Sequence, residues 1–451
     1  MILGTNIGWT SPTIPQLLNS SNSLQITSDN GSWITSLLML GSLPGCIIAA
    51  LIVDRIGRKS SLLLANIPLL IGWILIIIAR EPYILVRLNE LTRTRSRSII
   101  FIARFISGIG MGCVYTLCPI YIGEIADKNI RGTLGTFLKL MMNFGEFYSH
   151  AIGPYVSYTI MAYCCAALPI IFFITFIWMP ESPYYLLLKN RKNDAIKSLR
   201  KLRNYDNDDD DDKLFKELEH INETVIKDMS NKGQFWDLFR TSGNKKAVVI
   251  CFGLQLILQF SGLAAIESYT QKIMSEGETK LPASMAVIIL NIFQTAAGII
   301  AATLVDKIGR RPLLINTTFF AGCALLISGI FCYLKNQLKF DMKPYGYILI
   351  ISIIFYELII SLGLNPIAYM MLGELFSTNI KGFAVCSTNI WTSLLAFSVT
   401  KLFQVITDSS GIEISFTWFA ISCFIGVVFI VYYVPETRGK TFSDIQHELN
   451  I

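Results

Sequence analysis

The chain has 451 residues, of which 53% are hydrophobic and only 16% charged, and its mean hydropathy is +0.52. Soluble domains carry about 25% charged residues, so this composition excludes a soluble globular protein and indicates repeated passage through a lipid bilayer. The net charge of +6 does not indicate a nucleic-acid partner, because the basic residues concentrate in loops that the topology places in the cytoplasm.

Long apolar runs predict the membrane-spanning elements. A bilayer core about 30 Å thick needs about 20 apolar residues per helix, and runs of this length are helical because lipid offers no partners to unpaired backbone groups. We therefore expect an all-α membrane protein with twelve transmembrane helices. The predicted spans are residues 2–18, 33–53, 60–79, 98–122, 133–156, 161–179, 246–268, 284–304, 312–333, 346–370, 383–405 and 415–434.

A charged six-residue motif joins two apolar runs at two places in the chain. It is DRIGRK at residues 54–59 and DKIGRR at residues 306–311. Two further motifs recur in the same order and at nearly the same spacing, which indicates a duplicated half. They are EIADKNIRG at residues 124–132 against ELFSTNIKG at 374–382, and PES at 180–182 against PET at 435–437.

The duplication divides the chain into two pseudo-symmetric six-helix bundles. Basic residues concentrate in the repeated motifs and in the long polar segment between the bundles, and the positive-inside rule makes that side cytoplasmic. An even number of spans then places both termini in the cytoplasm, and we expect a multi-pass protein of the plasma membrane. The predicted domains are residues 1–181 and 246–434 for the bundles, 182–245 for cytoplasmic linker helices and 435–451 for a short cytoplasmic tail.

Two predicted external loops carry unusual features. Residues 19–31 hold N-x-S/T sequons at Asn19 and Asn30, and we favour glycosylation at Asn30 because Asn19 lies close to the membrane. Residues 81–98 carry arginines at 87, 93, 95 and 97, against the positive-inside rule, and we interpret them as an inserted segment. The alternative, that this segment is a retained or mis-spliced piece without a role, stays open.

The linker alternates apolar and charged residues at helical spacing, which predicts surface helices beneath the membrane domain. Its acidic run at residues 208–212 should stay solvated, because adjacent carboxylates without turn residues do not form a coordination shell. The ten cysteines fall almost entirely within spans and show no metal-ligand spacing. We therefore expect no metal or other cofactor, and the lack of any nucleophile–base pattern argues against an enzyme.

Span 5 carries an unusual polar stripe on one narrow arc of its predicted helix. Ionisable residues inside a membrane are costly, so they point to function, and we favour a stripe that lines a cavity over a self-neutralised structural strip. Glu267 in span 7 and Glu357 in span 10 are further intramembrane acids. The stripe consists of Lys139, Asn143, Glu146 and His150.

Several motifs match one known family in order along nearly the whole chain. They are the two charged loops, RFISGIGMG at residues 104–112, PIYIGEIADKNIRG at 119–132, PESPYYL at 180–186, QFSG at 259–262, SLGLNPIAYMMLGELF at 361–376 and PETRGKT at 435–441. These motifs resemble the sugar porters of the major facilitator superfamily, and with GTNIGWTSP at residues 4–12 they are most similar to insect facilitated trehalose transporters. The resemblance implies two six-helix bundles with a sugar of the glucose or trehalose class bound between them near the midplane.

Alternating access, which the resemblance implies, needs a latch that differs between two conformations. Acidic residues and glycines accompany the basic residues of the charged loops, and this favours an ion-pair network over loops that only set topology. Each exposed pair is worth about 1 kcal/mol, but several together shift a balanced equilibrium about tenfold or more. The candidate cytoplasmic gate consists of Asp54, Arg58, Glu124, Arg131 and Glu181 in the first half and Asp306, Arg310, Glu374, Lys381 and Glu436 in the second.

The resemblance also maps a sugar site onto spans 5, 7, 8, 10 and 11. Gln255 and Gln259 lie four residues apart on one helical face and match two glutamines of the family. In span 10, Tyr369 takes the place of a sugar-stacking tryptophan, and Pro366 is expected to break the helix. The candidate substrate-binding residues are Gln255, Gln259, Gln294, Asn365, Tyr369, Trp391 and Lys139.

Three positions depart from the family pattern. Lys139 replaces a span 5 glutamine, Leu258 replaces the second glutamine of a pair, and Ala264 replaces an asparagine. These changes remove neutral sugar contacts, so the resemblance does not specify which sugar is carried.

The family pattern also bears on energy coupling. Proton-coupled members carry an aspartate in span 1 that pairs with the span 4 arginine, here Arg104, but this chain has Asn6 at that position. Because an amide cannot titrate, we expect facilitated diffusion. The alternative is proton coupling through Glu146 and His150. An alternative of another class is a non-transporting sugar sensor, which the short tail after Pro435 disfavours.

Overall fold

The computed structural model describes residues 1–18, 26–79, 90–127, 131–203, 211–230, 234–376, 378–438, 440 and 448–449. Within these ranges the side chains of residues 90–95, 131–133, 136, 211, 228, 230, 302, 303, 306, 378 and 379 are not described. The described chain consists of helices joined by short turns and contains no strand. This all-α architecture is what the long apolar runs predict.

The helices follow one another along the chain with few long connections. They are α1 (Ile2–Gly8), α2 (Thr10–Leu18), α3 (Ser28–Ile56), α4 (Arg58–Ile78), α5 (Glu90–Ile125), α6 (Arg131–Ile152), α7 (Tyr158–Phe176), α8 (Pro183–Leu188), α9 (Lys192–Arg203), α10 (Asp211–Ser230), α11 (Ser242–Phe260), α12 (Leu263–Ser275), α13 (Ala283–Ile308), α14 (Arg310–Asn336), α15 (Tyr347–Leu362), α16 (Leu364–Leu375), α17 (Thr378–Ser410) and α18 (Ile412–Tyr433). Short 3₁₀ turns at Gly153–Tyr155, Phe235–Phe239 and Lys343–Tyr345 complete the described secondary structure.

Ten helices or helix pairs among the described residues are long and apolar enough to cross a membrane. They correspond to predicted spans 2, 3, 4 and 6 to 12. Span 1 falls short because its two helices, of seven and nine residues, together cover only Ile2–Leu18. The chain breaks between them at Trp9, because Pro12 has no N–H to donate to the carbonyl of Gly8, where α1 ends. Span 5 is the 22-residue helix α6, which is long enough but carries the polar stripe.

Spans 1 and 5 pack directly on each other, with glycines at the contact between α1 and α6. A Cβ atom on Gly4 of α1 would lie 1.9 Å from the carbonyl oxygen of Met142 in α6, and one on Gly145 would lie 2.0 Å from that of Met1. Helices α3 and α5 meet in the same way at Gly41 and Gly108. In a bilayer, small residues allow backbones to approach closely and to gain dispersion contacts. The sequence therefore places glycine where two helix backbones touch.

The two halves of the chain meet along a small number of helix pairs. Helix α3 packs along α17, α6 packs along α13, and α2 packs against α12. Each half also has its own buried apolar cluster, the larger one being in the second half. Residues of α6 and α13 are consequently brought together between the halves, and α11, α15 and α16 pack within the second half.

Spans 7 and 10 are both interrupted. Helix α11 ends at Phe260 and α12 begins at Leu263, and Gly262 between them has φ +92°, a conformation that favours glycine. Helix α15 ends at Leu362 and α16 begins at Leu364, so the break precedes Pro366 and does not lie at it as expected. The physical reason is that Pro366 has no N–H for the carbonyl of Leu362, four residues earlier, and its ring needs space there.

The linker forms the predicted surface helices. Helices α8, α9 and α10 share a small apolar core that includes Tyr185, Leu199 and Leu218. Arg203 ties this unit to the first half by donating to the Ile125 carbonyl at 3.0 Å, and it also pairs with Glu217 at 2.8 Å. Of the acidic run at 208–212, residues 208–210 lie outside the described chain.

Two predicted loops turn out to be partly helical. Residues 90–98 belong to α5, although the sequence predicts a loop from 81 to 98, because a helix can extend beyond the bilayer without apolar residues. Arg97 is half-buried there, whereas Arg87, the side chains of Arg93 and Arg95, and Asn19 lie outside the described residues.

Asn30 is half-buried in the first turn of α3, where its N–H donates to Thr27 Oγ1 at 3.3 Å. Its glycosylation stays a prediction.

Candidate functional site

Spans 7 and 8 carry buried amide side chains. Gln255 is fully buried, Gln259 is 5% exposed and Gln294 is 2% exposed. Neither polar atom of the Gln255 amide, nor Oε1 of Gln259, has a hydrogen-bond partner among the described residues. Because buried polar groups are nearly always hydrogen-bonded, these atoms are candidates for contact with a polar ligand.

Aromatic side chains lie near these amides. Trp391 of α17 donates its indole N–H to the Phe252 carbonyl at 3.2 Å and stacks on the Phe252 ring at a centroid distance of 5.7 Å. Tyr369 is 40% exposed although it lies in the middle of a span. Asn365 is buried in the first turn of α16. Tyr369 and Trp391 thus lie on two helices, α16 and α17, that pack against α11.

Charged residues from both halves gather at the same level. Glu146 of α6 lies within electrostatic reach of Lys139 and Glu267, and Glu357 lies within reach of these same three groups. Gln294 Nε2 lies 3.5 Å from Glu357 Oε2. Glu146 and Glu357 are 2% and 1% exposed, and each retains one carboxyl oxygen without a partner among the described residues. Three carboxyl groups therefore lie within electrostatic reach of Lys139.

A contact that the sequence analysis did not predict crosses between the halves next to this cluster. Asn291 Nδ2 of α13 lies 2.8 Å from His150 Nδ1 of α6. An amide N–H can only donate, so this geometry makes Nδ1 of His150 the acceptor and leaves the ring proton on Nε2. Asn291 precedes Gln294 by three residues and therefore shares its helical face, which is the signal that could have revealed it.

Arg104 lies beside Asn6, as the family pattern predicts, but it contacts the backbone and not the amide side chain. Its Nη1 donates to the Asn6 carbonyl at 2.9 Å and its Nε to the Ile34 carbonyl at 3.1 Å. The guanidinium also lies 5.2 Å from the ring centroid of Trp9, an attractive cation–π geometry. Carbonyl oxygens and an aromatic face thus solvate this fully buried cation.

The first charged loop forms a compact network of ion pairs and hydrogen bonds at the start of α4. Arg58 is 4% exposed and pairs through Nε with Glu124 at 2.9 Å and through Nη1 with Asp54 at 3.1 Å. Glu181 accepts the backbone N–H groups of Arg58 and Lys59, both at 2.9 Å. Ser182 also donates to Glu124. Asp54, Arg58 and Glu124 therefore meet, but Glu181 caps the N-terminus of α4 and does not pair with the guanidinium.

The second charged loop repeats this arrangement. Arg310 pairs with Glu374 at 3.1 Å, and Glu436 accepts the backbone N–H groups of Arg310 and Arg311 at 3.0 Å each. Glu436 too is a helix cap and not a guanidinium partner, because four N–H groups at a helix start lack intrahelical acceptors. Burial opposes ionisation of Glu436, but N–H groups of Arg438, Arg310 and Arg311 outweigh it and hold the pKa of this carboxyl below its usual range.

Three members of the predicted gate are less well defined. The side chains of Asp306 and Arg131 lie outside the described residues. Lys381 is exposed, and its ammonium approaches Gly373, the neighbour of Glu374 in sequence. The ion pairs that Arg58 and Arg310 form with Asp54, Glu124 and Glu374 each join residues of one half.

A polar cluster at the opposite end of the membrane domain joins the two halves. None of its residues is among the predicted site residues. The Lys401 ammonium of α17 lies 2.5 Å from Asp29 Oδ1 and 2.7 Å from Ser32 Oγ of α3, and 4.3 Å from the Trp33 ring centroid. Gln404 donates to Ser28 at 2.6 Å. We call Ser28, Asp29, Ser32, Lys401, Gln404 and Asp408 the Lys401 cluster. It closes the end of the domain that the sequence predicts to be external.

Comparison with known proteins identifies a family that matches this chain. The family model described as "Sugar (and other) transporter" matches residues 4–449. The chain is 31% identical to a facilitated trehalose transporter, Tret1, of Bombyx mori, and the match covers 100% of the chain and 84% of that protein. It is 28% identical to the proteins of the same name from Aedes aegypti and Anopheles gambiae, again over 100% of the chain. It spans about half the length of these two relatives, 53% and 54%.

Solved structures show the same fold. The inward-open conformation of the xylose transporter XylE from E. coli matches with a TM-score of 0.78 at 20% identity, covering 99% of this chain and 97% of that one. XylE bound to 6-bromo-6-deoxy-D-glucose, described as a proton:xylose symporter of the major facilitator superfamily, matches with a TM-score of 0.75 at 20% identity, also over 99% and 97% of the two chains. From the family match and the relatives, this chain belongs to the sugar (and other) transporter family, and it has the fold of the major facilitator superfamily.

Proposed function

We propose that the protein carries a hexose or a disaccharide of the glucose or trehalose class across the membrane by facilitated diffusion. The observation that carries the proposal is the group of buried amide atoms on Gln255 and Gln259 without protein partners. Its relatives in Bombyx, Aedes and Anopheles are named facilitated trehalose transporters. That shared name favours this substrate class.

The chemistry of the candidate substrate site suits a polyol. Sugar hydroxyls both donate and accept hydrogen bonds, and an amide offers both kinds of partner. The apolar faces of a pyranose ring pack on aromatic side chains, for which Tyr369 and Trp391 are candidates. Lys139 adds a cationic donor where the family has a neutral amide. We assign substrate contact to these residues together with Gln294 and Asn365.

Alternating access explains the two different ends of the membrane domain. The Lys401 cluster joins the halves at one end, while at the other end the Arg58 and Arg310 pairs stay within their own halves. We infer a conformation open to the cytoplasm, in which the described gate pairs are formed within each half and do not tie the halves together. Replacing both arginines by alanine should slow exchange about tenfold, since several pairs of about 1 kcal/mol are lost. Unchanged exchange by correctly inserted protein would contradict this gate.

The coupling mode follows from Asn6 and Arg104. Arg104 is already solvated by carbonyl oxygens and Trp9, so it does not depend on a carboxylate whose protonation could drive a cycle. Asn6 cannot release a proton. We therefore favour transport down the sugar gradient alone.

The decisive test is counterflow in proteoliposomes with trehalose, glucose and a small panel of other sugars. We expect saturable exchange of at least one of the first two sugars. Gln259→Leu keeps the side-chain volume but removes the amide, and loss of a hydrogen bond of about 1–3 kcal/mol should lower exchange about tenfold or more. Gln271→Leu, in the same span but outside the proposed site, should exchange like the parent protein. Absence of exchange for the whole panel would instead support a sensor.

Proton coupling is the second candidate, because Glu146, Glu267 and Glu357 all lie within electrostatic reach of Lys139. Three ionised carboxylates so close to one another would place surplus negative charge in a site of low dielectric constant, and bound protons would remove it. Uptake against a sugar gradient, driven by an imposed pH gradient, would establish this mode. Uptake that never exceeds equilibrium, with or without the pH gradient, would support facilitated diffusion.

The location and the orientation are further parts of the proposal. The basic residues of both charged loops and of the linker favour a cytoplasmic side for α8 to α10 and for both termini. Epitope tags at the termini should be stained only after permeabilisation, and surface biotinylation should label the protein in intact cells. Staining of either tag without permeabilisation would reverse this topology.

A further inference from the structure

A cavity of about 600 Å³ lies outside the substrate site, where the linker meets the ends of α3, α4 and α7. Helices α8 and α9 form one wall and the membrane helices form the other. Its charged rim consists of Lys59, Glu181, Arg191, Asp194, Lys197 and Lys201. Four cations and two acids give the rim an excess of positive charge.

Both acids of the rim are already engaged. Glu181 caps α4 through the N–H groups of Arg58 and Lys59. Asp194 pairs with Arg191 at 2.7 Å. The ammonium groups of Lys59, Lys197 and Lys201 therefore face the cavity without a carboxylate among its lining residues. An anion that entered would meet cations whose charge is not neutralised locally.

Two of these lysines are held at the membrane boundary. Lys59 Nζ donates to the Ile177 carbonyl and Lys201 Nζ to the Trp178 carbonyl, both at 2.7 Å, at the end of α7. An ammonium group has three N–H donors, so each lysine keeps donors for a ligand. Trp178 is 75% exposed, and exposed tryptophan is typical of the level of the lipid headgroups.

The membrane side of the cavity is apolar and continues towards the lipid. Ile56, Leu63 and Ile177 line it. Helix α4 packs along α7, and beyond the cavity both helices expose apolar side chains, among them Ile67 at 45% and Ile174 at 60%. A ligand that bound here would meet positive charge at one end and a bilayer-facing apolar surface at the other.

We propose that this cavity binds the phosphate headgroup of an anionic phospholipid from the adjacent leaflet, with the acyl chains along α4 and α7. Basic pockets at the cytoplasmic ends of transmembrane helices suit such headgroups, and each nearby lysine contributes about 1 kcal/mol to the attraction. A soluble phosphate compound shares the headgroup chemistry but would leave the apolar side without contacts. This lipid site is separate from the candidate substrate site. A negative result for lipid binding would therefore not contradict the proposed transport activity.

Native mass spectrometry of the full-length protein in detergent tests the proposal with added phosphatidylinositol 4-phosphate or phosphatidylcholine. We expect selective retention of the anionic lipid. Lys197→Gln combined with Lys201→Gln should weaken its binding about thirtyfold, from the loss of two lysines. The matched control, Lys192→Gln combined with Lys216→Gln, removes the same charge from exposed positions outside the cavity and should bind like the parent protein.

Three results would overturn the site. They are equal retention of the two lipids, equal weakening in both double variants, and binding of soluble inositol bisphosphate as tight as that of the lipid, which would indicate a soluble ligand. Because Lys201 also bonds to the backbone, Lys197→Glu serves as a second variant. Lys197 is exposed, and its charge reversal should weaken lipid binding without changing the melting temperature.

Discussion

At the scale of single residues, glycine decides which helices touch. Gly145 of α6 faces the backbone of α1 with no room for a side chain, whereas on the same helix nothing lies within 4 Å of a Cβ atom added at Gly135. Both are glycines in a predicted span, so composition cannot tell them apart. Their different surroundings predict opposite effects of the same substitution.

We expect Gly145→Ala to destabilise the protein and Gly135→Ala to preserve or slightly raise its stability. The new methyl group at 145 would lie 2.0 Å from the Met1 carbonyl oxygen, and overpacking of this kind costs about 1–3 kcal/mol. At 135 the alanine gains up to about 1 kcal/mol in helix propensity. Thermal unfolding in detergent gives the comparison. Equal melting temperatures for the two variants would contradict the close α1–α6 contact.

At the scale of the element, the starts of α4 and α14 are the most closely repeated features of the fold. Each follows a glycine with positive φ, Gly57 at +99° and Gly309 at +102°, and each is capped by a glutamate from far along the chain. The carboxylate satisfies orphan N–H groups and interacts favourably with the positive end of the helix dipole. This explains why acids accompany the basic loops in both halves.

The cap at Glu436 predicts a dependence of stability on pH. Its pKa is lowered in the folded protein, so its stabilisation is complete above the unfolded value of about 4.3 and is lost as the pH falls through the folded value. We expect Glu436→Gln to melt at a lower temperature than the parent protein at neutral pH, with the difference shrinking below about pH 4.

Melting curves between neutral pH and about pH 3 measure this difference across the titration range of carboxyl groups. Glu219→Gln, exposed on α10, controls for the loss of one carboxylate and should match the parent at neutral pH. A difference for Glu436→Gln that stays constant over the whole range would show that the cap does not depend on ionisation.

At the scale of the whole molecule, the two ends of the membrane domain differ in which residues they connect. The Lys401 cluster links α3 of one half to α17 of the other, and Gln271 of α12 donates its N–H to Ser11 of α2 at 3.0 Å. The described ion pairs of the charged loops, by contrast, each join residues of one half. A rocking motion of the halves would have to break the first set of contacts before it could form new ones at the other end.

Lys401→Ala should therefore shift the protein away from the described conformation. The lost ion pair and cation–π contact are each worth up to about 1 kcal/mol, which together change the equilibrium by up to about thirtyfold. Hydrogen exchange in nanodiscs should become faster for amides at residues 26–36 and 398–410 and slower at residues 57–61 and 309–313. Lys280→Ala, an exposed control at the same end, should leave all four segments unchanged. Faster exchange at the first two segments alone would indicate local loosening.

Sequence patterns predicted much of this protein because membrane helices carry their signal locally. Ten of the twelve predicted spans are helices long and apolar enough to cross a membrane. The duplicated motifs also indicated where the two ion-pair networks of the charged loops lie. The differences between the predicted and the observed helices have physical causes. The split of span 1 at Trp9, three residues before Pro12, depends on hydrogen bonding, and the start of α5 at Glu90 depends on helix that extends beyond the bilayer. Hydropathy reports neither.

By itself, the sequence determined the helical class, the duplicated halves, the family resemblance and the residue types that meet at each charged loop. Only the tertiary structure decided which groups pair: that Glu181 and Glu436 cap helices, that Asn291 meets His150, and that Lys401 reaches Asp29 more than 370 residues away. The reason is that a helix fixes which face a side chain occupies, while packing between distant helices fixes its partner. The cavity at Lys59 and Lys201 likewise exists only because the linker folds back onto α4 and α7.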